Sequence, residues 1–417
     1  MARILILSLI FRPDNVSTAQ IMGDLVLDFK ARGHDVFVIT TVPHFNEDAE
    51  ALAEQPLNDY WGGLFKKSSY CGVEVLHAWM PRKGKSKLLR IIGWLGFHFI
   101  STLSGLFIRF KPDIILAPSP PLTIGVSAWL LGLKHRCSFV YNVQEIYPDV
   151  AVNLGVLRNG FIIKCLQRLE SFVYDKAQVL AVISDGMANH IRARGVPEDK
   201  IHIIPNFVDV EDFCPLPKVN DFSQHHGLAD KFVVSYAGNM GAPQGLKVLI
   251  EAAHLLRHEV GVHFLMMGDG SERSSLIAMA QDMNLTNMTF LSYQPYSLMP
   301  EAYAAVDASF VSQTQGTSND GIPSKVYRIM ACARPVIACT DAGSDLARLV
   351  EKSEGGVVVQ SGDVVALASA IQHAYLNREV WSKKGLKARD FVLHNYSRPS
   401  VSTLYHELIT ELLSKES

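Results

Sequence analysis

The chain has 417 residues, 48% of them hydrophobic and 19% charged, with a formal net charge of −2. That length exceeds one ordinary hydrophobic core and predicts two α/β domains of about 200 residues each. The near-neutral balance argues against nucleic acid as a global electrostatic partner, which would require a basic face.

The first apolar run, Arg3 to Phe11, has no small-residue cleavage site and passes straight into the turn residues Arg12, Pro13, Asp14 and Asn15. It reads as the buried first strand of a parallel sheet (Ile4–Leu9) rather than as a secretory signal. A helix follows over 19–31, with Ile21, Leu25, Val26 and Phe29 at helical spacing; Gly33 ends it, and 35–40 is the next strand. The basic stretch Lys83, Lys85, Lys87 and Arg90 then precedes an apolar segment that runs to Phe110. Two readings stay open for it. One is a helix lying in a membrane interface, the other a core helix feeding the strand at 114–117. Arg90, His98 and the position inside a βα series argue against a membrane span.

Further strands are expected at 139–143, 179–183 and 201–204, the last stopped by Pro205-Asn206-Phe207. After a polar stretch from Asp212 to Asp230, 232–238 looks like a first strand again, continued by 262–268, 288–291, 308–311, 335–338 and 356–359. The end of the chain, 391–413, reads as helical with a turn at Tyr396-Ser397-Arg398-Pro399. The expected fold is therefore α/β, with two Rossmann-like doubly wound domains facing a central cleft. The expected domains are 1–205 and 206–390, with a C-terminal helix (391–417) returning to the first. Ligands of such folds bind at the carboxyl ends of the strands. The six cysteines are scattered, without zinc-ligand spacing, and read as free thiols of a reducing compartment, so a cytoplasmic protein is expected.

Two motifs carry chemistry. Tyr236-Ala237-Gly238-Asn239-Met240-Gly241-Ala242-Pro243-Gln244-Gly245 runs from a strand through a glycine-punctuated loop into a helix at 246–256. Its converging N–H groups suit a diphosphate, and its glycines equally suit a plain turn. The second motif runs from Asn319 to Ala338. It sets Asp320, Gly321, Ile322, Ser324, Lys325 and Arg328 around a loop-to-helix junction before a buried strand. Cations there could stabilise charge growing on a departing phosphate; a solvated helix start is the plainer alternative.

Six segments in order resemble a family-4 glycosyltransferase of GT-B architecture over essentially the whole chain. They are Arg32-Gly33-His34-Asp35-Val36, Lys111-Pro112-Asp113-Ile114-Ile115, the stretch 203–209, Tyr236-Ala237-Gly238-Asn239, Gly268-Asp269-Gly270 and the block 320–338. The subgroup most resembled makes bacterial exopolysaccharide or O-antigen repeat units. The resemblance implies a retaining transfer of a hexosyl or N-acetylhexosaminyl group from a nucleotide-diphosphate sugar to a lipid-linked or glycan acceptor. It implies donor binding mainly by the second domain, acceptor binding mainly by the first, and no catalytic metal or other cofactor. A polyprenyl-linked acceptor would suit contact with the cytoplasmic face of the inner membrane.

Carried over residue by residue, the family's pair of carboxylates falls on Asp320 and Arg328. An arginine cannot accept hydrogen bonds from ribose. The family's diphosphate-binding cations fall on Asn239 and Gln244, so Lys325, with Arg328, is expected to supply the positive charge from the opposite wall. Gln144, with Glu145 beside it, stands where the family has a histidine facing the donor sugar. Val16-Ser17 replaces the two glycines after the first strand, and Ser17 remains a donor-contact candidate. Gly268, Asp269 and Ser292 are expected near the base; Gly238, Gly321, Ile322 and Ser324 complete the donor site. Lys325, Asp320 and Gln144 are the expected catalytic residues. Two rivals share the architecture. A sugar-nucleotide 2-epimerase-like isomerase would convert donor without acceptor, and a non-catalytic partner subunit would show no nucleotide affinity.

Overall fold

Contacts divide the chain into two units, Met1–Asn206 with Val401–Ser417, and Phe207–Ser400. The computed structural model describes residues 1–14, 16–44, 49–80, 87–153, 155–316 and 321–416. In the helix Lys87–Phe107 the side chains are described at 93 and from 96 onward.

The first unit is built on the strands β1 (Arg3–Leu7), β2 (Asp35–Thr41), β3 (Asn58–Tyr60), β4 (Phe65–Tyr70), β5 (Val73–Ala78), β6 (Ile114–Pro118), β7 (Ser138–Val143), β8 (Val179–Val182) and β9 (Ile201–Ile203). They form one sheet in the order β3-β4-β5-β2-β1-β6-β7-β8-β9. Pairing is parallel except along β3–β4 and β4–β5, which are antiparallel. β1 is apolar throughout its buried part because helices cover both faces of a parallel sheet. The hairpin of β3 and β4, and β5 after it, fall outside the strands expected from sequence. β3 is fully exposed, and β4 carries Lys66 and Lys67, so no apolar run marks them.

The second unit repeats the plan with β10 (Phe232–Ala237), β11 (Val262–Met267), β12 (Met288–Leu291), β13 (Ala308–Ser312), β14 (Val336–Thr340) and β15 (Gly356–Gln360). All six are parallel, in the order β12-β11-β10-β13-β14-β15. Strand order reverses between β10 and β13, the place where open sheets of this kind leave a crevice beyond their carboxyl ends. Every residue of β10 is buried, so its carboxyl end is a fixed platform for the loop that follows.

The helix Arg378–Asn395 is followed by a turn in which Ser397 bridges Val208, and the helix Arg398–Glu416 closes the chain. From Val401 on, this helix belongs to the first unit. Arg32 donates to the Ser402 carbonyl at 3.0 Å and to Thr403 Oγ1 at 2.8 Å. His34 Nδ1 accepts from the Ala2 N–H at 3.2 Å, so its Nε2 carries the proton and donates to His406 Nδ1 at 2.9 Å. Among the described residues no helix is long and apolar enough to cross a membrane.

Candidate functional site

The candidate site of the second unit lies where β10, β11 and β13 end. After β10 the chain turns at Gly238, and three hydrogen bonds then hold the next loop. Met240 N–H donates to the Asp269 carbonyl at 2.7 Å, Glu272 N–H to the Met240 carbonyl at 2.9 Å, and Thr314 N–H to the Pro243 carbonyl at 2.9 Å. Ser312 Oγ, at the tip of β13, bonds the Gln244 carbonyl. The loops after β10 and β11 approach so closely that a Cβ on Gly268 would lie 1.9 Å from the Gly238 carbonyl oxygen. A Cβ on Gly270 would lie 2.4 Å from that of Met240.

Lys325 opens the helix Lys325–Ala331, and its ammonium reaches back to the end of β10. Nζ lies 3.8 Å from the centroid of the buried Tyr236 ring and 3.5 Å from where a Cβ on Gly238 would sit. The ring face supplies electron density, while the Tyr236 hydroxyl is turned away to the Asn239 carbonyl at 2.5 Å. Among the described residues no carboxylate lies within ion-pair distance of Nζ. Burial lowers the Lys325 pKa to about 7. An anion docking beside it would restore the charged form. That combination, a poorly solvated amine at the carboxyl edge of a switch-point strand, is what an incoming diphosphate can exploit.

The other expected residues divide. Asn239 is exposed beside this ammonium seat. Gln244 is turned inward, its Oε1 accepting the Gly241 N–H at 3.2 Å and closing the short 3-10 turn. Gly268 and Asp269 join the cradle, and Ser292 follows Leu291, whose carbonyl accepts the Gly268 N–H at 3.1 Å. The Asp269 N–H bonds the Tyr293 hydroxyl; burial and the neighbouring Asp269 charge raise that hydroxyl's pKa. Gly321 is held by Gln313, whose Nε2 donates to its carbonyl at 3.1 Å, and Ile322 packs on the adjacent core. Ser324 precedes the helix without capping it. Arg328 does not share the Lys325 seat: its guanidinium stacks 5.1 Å from Phe213 and 5.3 Å from Tyr296. Asp320 lies outside the described residues.

Sequence reasoning missed Tyr236, Ser312 and Gln313. Gln313 is buried, takes the Thr340 hydroxyl on its Oε1 at 3.2 Å and holds the Gly321 loop. The polar triplet Ser312-Gln313-Thr314 directly after an apolar strand was the available signal.

In the first unit Ser17 opens the helix Ser17–Ala31. Gln144 is bound into an amide ladder. Its Nε2 donates to Asn142 Oδ1 at 2.6 Å and Asn206 Oδ1 at 3.1 Å, and its Oε1 accepts from Asn206 Nδ2 at 2.8 Å. Both N–H bonds of its amide are thus used within the unit, and one oxygen lone pair remains for a ligand. Asn142 passes the ladder on to Tyr405 of the last helix at 2.9 Å and to the Ala181 carbonyl at 3.1 Å. Asn142→Ala leaves these buried partners unmatched and is expected to lower stability by about 2–3 kcal/mol, read by urea denaturation.

Two family descriptions match the chain: "Glycosyl transferase 4-like domain" over residues 18–206 and "Glycosyl transferases group 1" over residues 231–377. The chain is 27% identical to "Putative colanic acid biosynthesis glycosyl transferase WcaI" of Escherichia coli K12, over 90% of this chain and 92% of that one. It is 24% identical to the "Lipopolysaccharide core biosynthesis glycosyltransferase LpsE" of Rhizobium meliloti, covering 72% of this chain and 76% of that one. Among solved structures, sucrose-phosphate synthase of Thermosynechococcus elongatus superposes with a TM-score of 0.75 at 17% identity, covering 100% of both chains. Anabaena Alr3699/HepE, solved with UDP-glucose, gives a TM-score of 0.74 at 16% identity over 99% of this chain and 100% of that one. At these identities the two structures speak for the fold.

Proposed function

We propose that this chain, which belongs to the glycosyltransferases of GT-B architecture through a glycosyl transferase 4-like domain followed by a group 1 domain, transfers a hexosyl or N-acetylhexosaminyl group with retention. The donor is a nucleotide-diphosphate sugar, and the acceptor a lipid-linked or growing glycan in cell-surface polysaccharide biosynthesis. The observation that carries the reading is the Lys325 ammonium, held over Tyr236 and beside Gly238 at the carboxyl end of β10. Support for the biosynthetic setting comes from the names of the relatives, in colanic acid and lipopolysaccharide synthesis.

In this reaction the bond from the anomeric carbon to the diphosphate oxygen breaks, and a bond to the acceptor hydroxyl oxygen forms on the same face. The acceptor proton passes to the leaving diphosphate. No protein nucleophile enters the balance. What the protein must do is hold both substrates and compensate the departing charge. Lys325 compensates it, without a metal. The N–H groups of Gly238, Met240 and Gly268 are already bonded to the Met267, Asp269 and Leu291 carbonyls. Against the expectation of converging N–H donors, these loops therefore shape the seat beside the ammonium and leave the diphosphate charge to Lys325. Asp320 would then hold the donor sugar and Gln144 would offer its remaining lone pair to a sugar hydroxyl.

The test is a thermal-shift screen with UDP, GDP and dTDP sugars, and a CMP sugar as the monophosphate control. One diphosphate class is expected to raise Tm by about 5 °C at saturating concentration. Transfer to an acceptor, with the anomeric configuration of the product read by NMR, then completes the assignment. Donor epimerised without acceptor would establish an isomerase instead, and no shift with any donor would establish a non-catalytic subunit.

A further inference from the structure

We propose that Asn142 and Asn206 are positioning residues that fix the polarity of Gln144, so that its amide offers a ligand only one carbonyl lone pair and selects a sugar carrying a hydroxyl group where the two meet. A side-chain amide has no polarity preference of its own, because its oxygen and nitrogen ends have nearly the same shape. A partner that cannot turn round has to set it. Here that partner is the Ala181 backbone carbonyl in β8, which can only accept.

From that carbonyl the order is forced along the ladder. Asn142 in β7 is fully buried, and its Nδ2 gives one N–H to the Ala181 carbonyl at 3.1 Å and the other to Tyr405 Oη at 2.9 Å. Its Oδ1 therefore faces Gln144, 2.6 Å from Nε2, and a reversed Gln144 would set two oxygens against each other there. Nε2 gives its second N–H to Asn206 Oδ1 at 3.1 Å, and Asn206 Nδ2 returns one to Gln144 Oε1 at 2.8 Å. Gln144 and Asn206 thus form a closed pair of amides. The main chain is held as well, since Gln144 N–H donates to Ser119 Oγ at 3.0 Å. Asn206 is 8% exposed, so water competes little for these bonds.

A site of this polarity discriminates. One lone pair on a neutral oxygen receives a hydroxyl and turns away a phosphate, a carboxylate or a ring oxygen, none of which has a hydrogen to give. Removing the hydroxyl leaves the oxygen short of its partner, whereas a freely turning glutamine would adapt to either kind of group. That the ligand is a sugar rests on the transferase reading; the polarity of the amide does not.

Gln144→Glu tests the polarity without any ligand. Its carboxyl can meet Asn142 Oδ1 only as the protonated acid, because a carboxylate has no hydrogen to donate. The folded state then holds that proton more tightly than the unfolded chain, whose glutamate ionises near pH ~4.3. Stability relative to the native protein should therefore fall between about pH 5 and about pH 8, by about 3 °C or more in Tm. Tyr405 and Tyr141 are kept neutral over that range by burial, and the exposed Glu145 is common to both proteins. In an Asn142→Ala background the dependence should shrink, since the facing oxygen is gone. A Tm difference independent of pH, or one unchanged in that background, would overturn the fixed polarity.

Selection is tested with whichever UDP-, GDP- or dTDP-sugar gives the largest thermal shift, compared by calorimetry with analogues deoxygenated at each sugar hydroxyl in turn. One analogue is expected to bind the native protein at least about tenfold more weakly than the parent. Asn206→Leu, of similar size, removes both bonds to Gln144 and should bring that ratio close to one, a change that lost stability alone does not produce. No analogue discriminated, or the same ratio in Asn206→Leu and the native protein, would overturn the selection. If no nucleotide sugar binds at all, the transferase reading fails together with the ligand assigned here, while the pH dependence of Gln144→Glu still decides the polarity.

Discussion

Lys325→Ala is expected to lower kcat/KM for the donor by about 100- to 1,000-fold, the range found when one preorganised group facing the developing charge is removed. The effect is large because the ammonium is poorly solvated and fixed over Tyr236. The pH dependence follows from its pKa of about 7 in the free protein. The charged form binds the diphosphate. Donor affinity should therefore be flat below pH 7 and fall as pH rises through it, until the higher pKa of the bound state is passed. Calorimetry at pH 8 should register proton uptake on binding, and Lys325→Met should abolish both features. The same lysine works against stability. An unfolded chain holds this proton up to the ordinary lysine value of 10.5 and the folded one only to about 7, so stability rises with pH between those limits. Lys325→Met should then raise Tm at neutral pH while losing donor binding. Equal donor affinity in Lys325→Ala and the native protein would remove Lys325 from the site.

The parts of this molecule legible in its sequence are those fixed by local pattern. β1 and β10 are apolar runs because both sheet faces are covered, and the βα alternation gives two doubly wound sheets. The hairpin of β3 and β4 was not legible, since β3 is wholly exposed and β4 buries only Phe65 and Ser68 among charged and polar neighbours, leaving no apolar run to mark it. The site divides the same way. Lys325 stands out as a cation at a loop-to-helix junction, but its seat depends on Tyr236, far away in sequence. Arg328, three residues on, stacks on Phe213 and Tyr296 instead. Gln244 and Gln144 read as polar groups facing a ligand. Each is drawn into satisfying neighbours, the Gly241 N–H in one case and the amides of Asn142 and Asn206 in the other. A side-chain amide has four hydrogen-bonding positions, and where they are spent is set by tertiary contacts that spacing does not show.

Gly268→Ala should cost more stability than any surface substitution and should take donor binding with it. The added methyl would sit 1.9 Å from the Gly238 carbonyl oxygen and 2.9 Å from its carbon. Neither neighbour can swing aside as a side chain could. The Gly238 N–H is bonded to the Met267 carbonyl at 2.9 Å, and the Gly268 N–H to the Leu291 carbonyl at 3.1 Å. Relief requires the ends of β10 and β11 to part, which carries Gly238 away from the Lys325 ammonium. A loss of about 3 kcal/mol or more is expected in urea denaturation, because overpacking against rigid backbone adds to the strain of a positive φ. Gly227→Ala separates these two contributions. Its φ is +65° and nothing lies within 4 Å of the new methyl, so it should cost only about 1 kcal/mol and leave the donor-induced Tm shift intact. If Gly268→Ala behaved like Gly227→Ala in both measurements, the two loops would not be in backbone contact, and the seat they shape beside the ammonium would not exist.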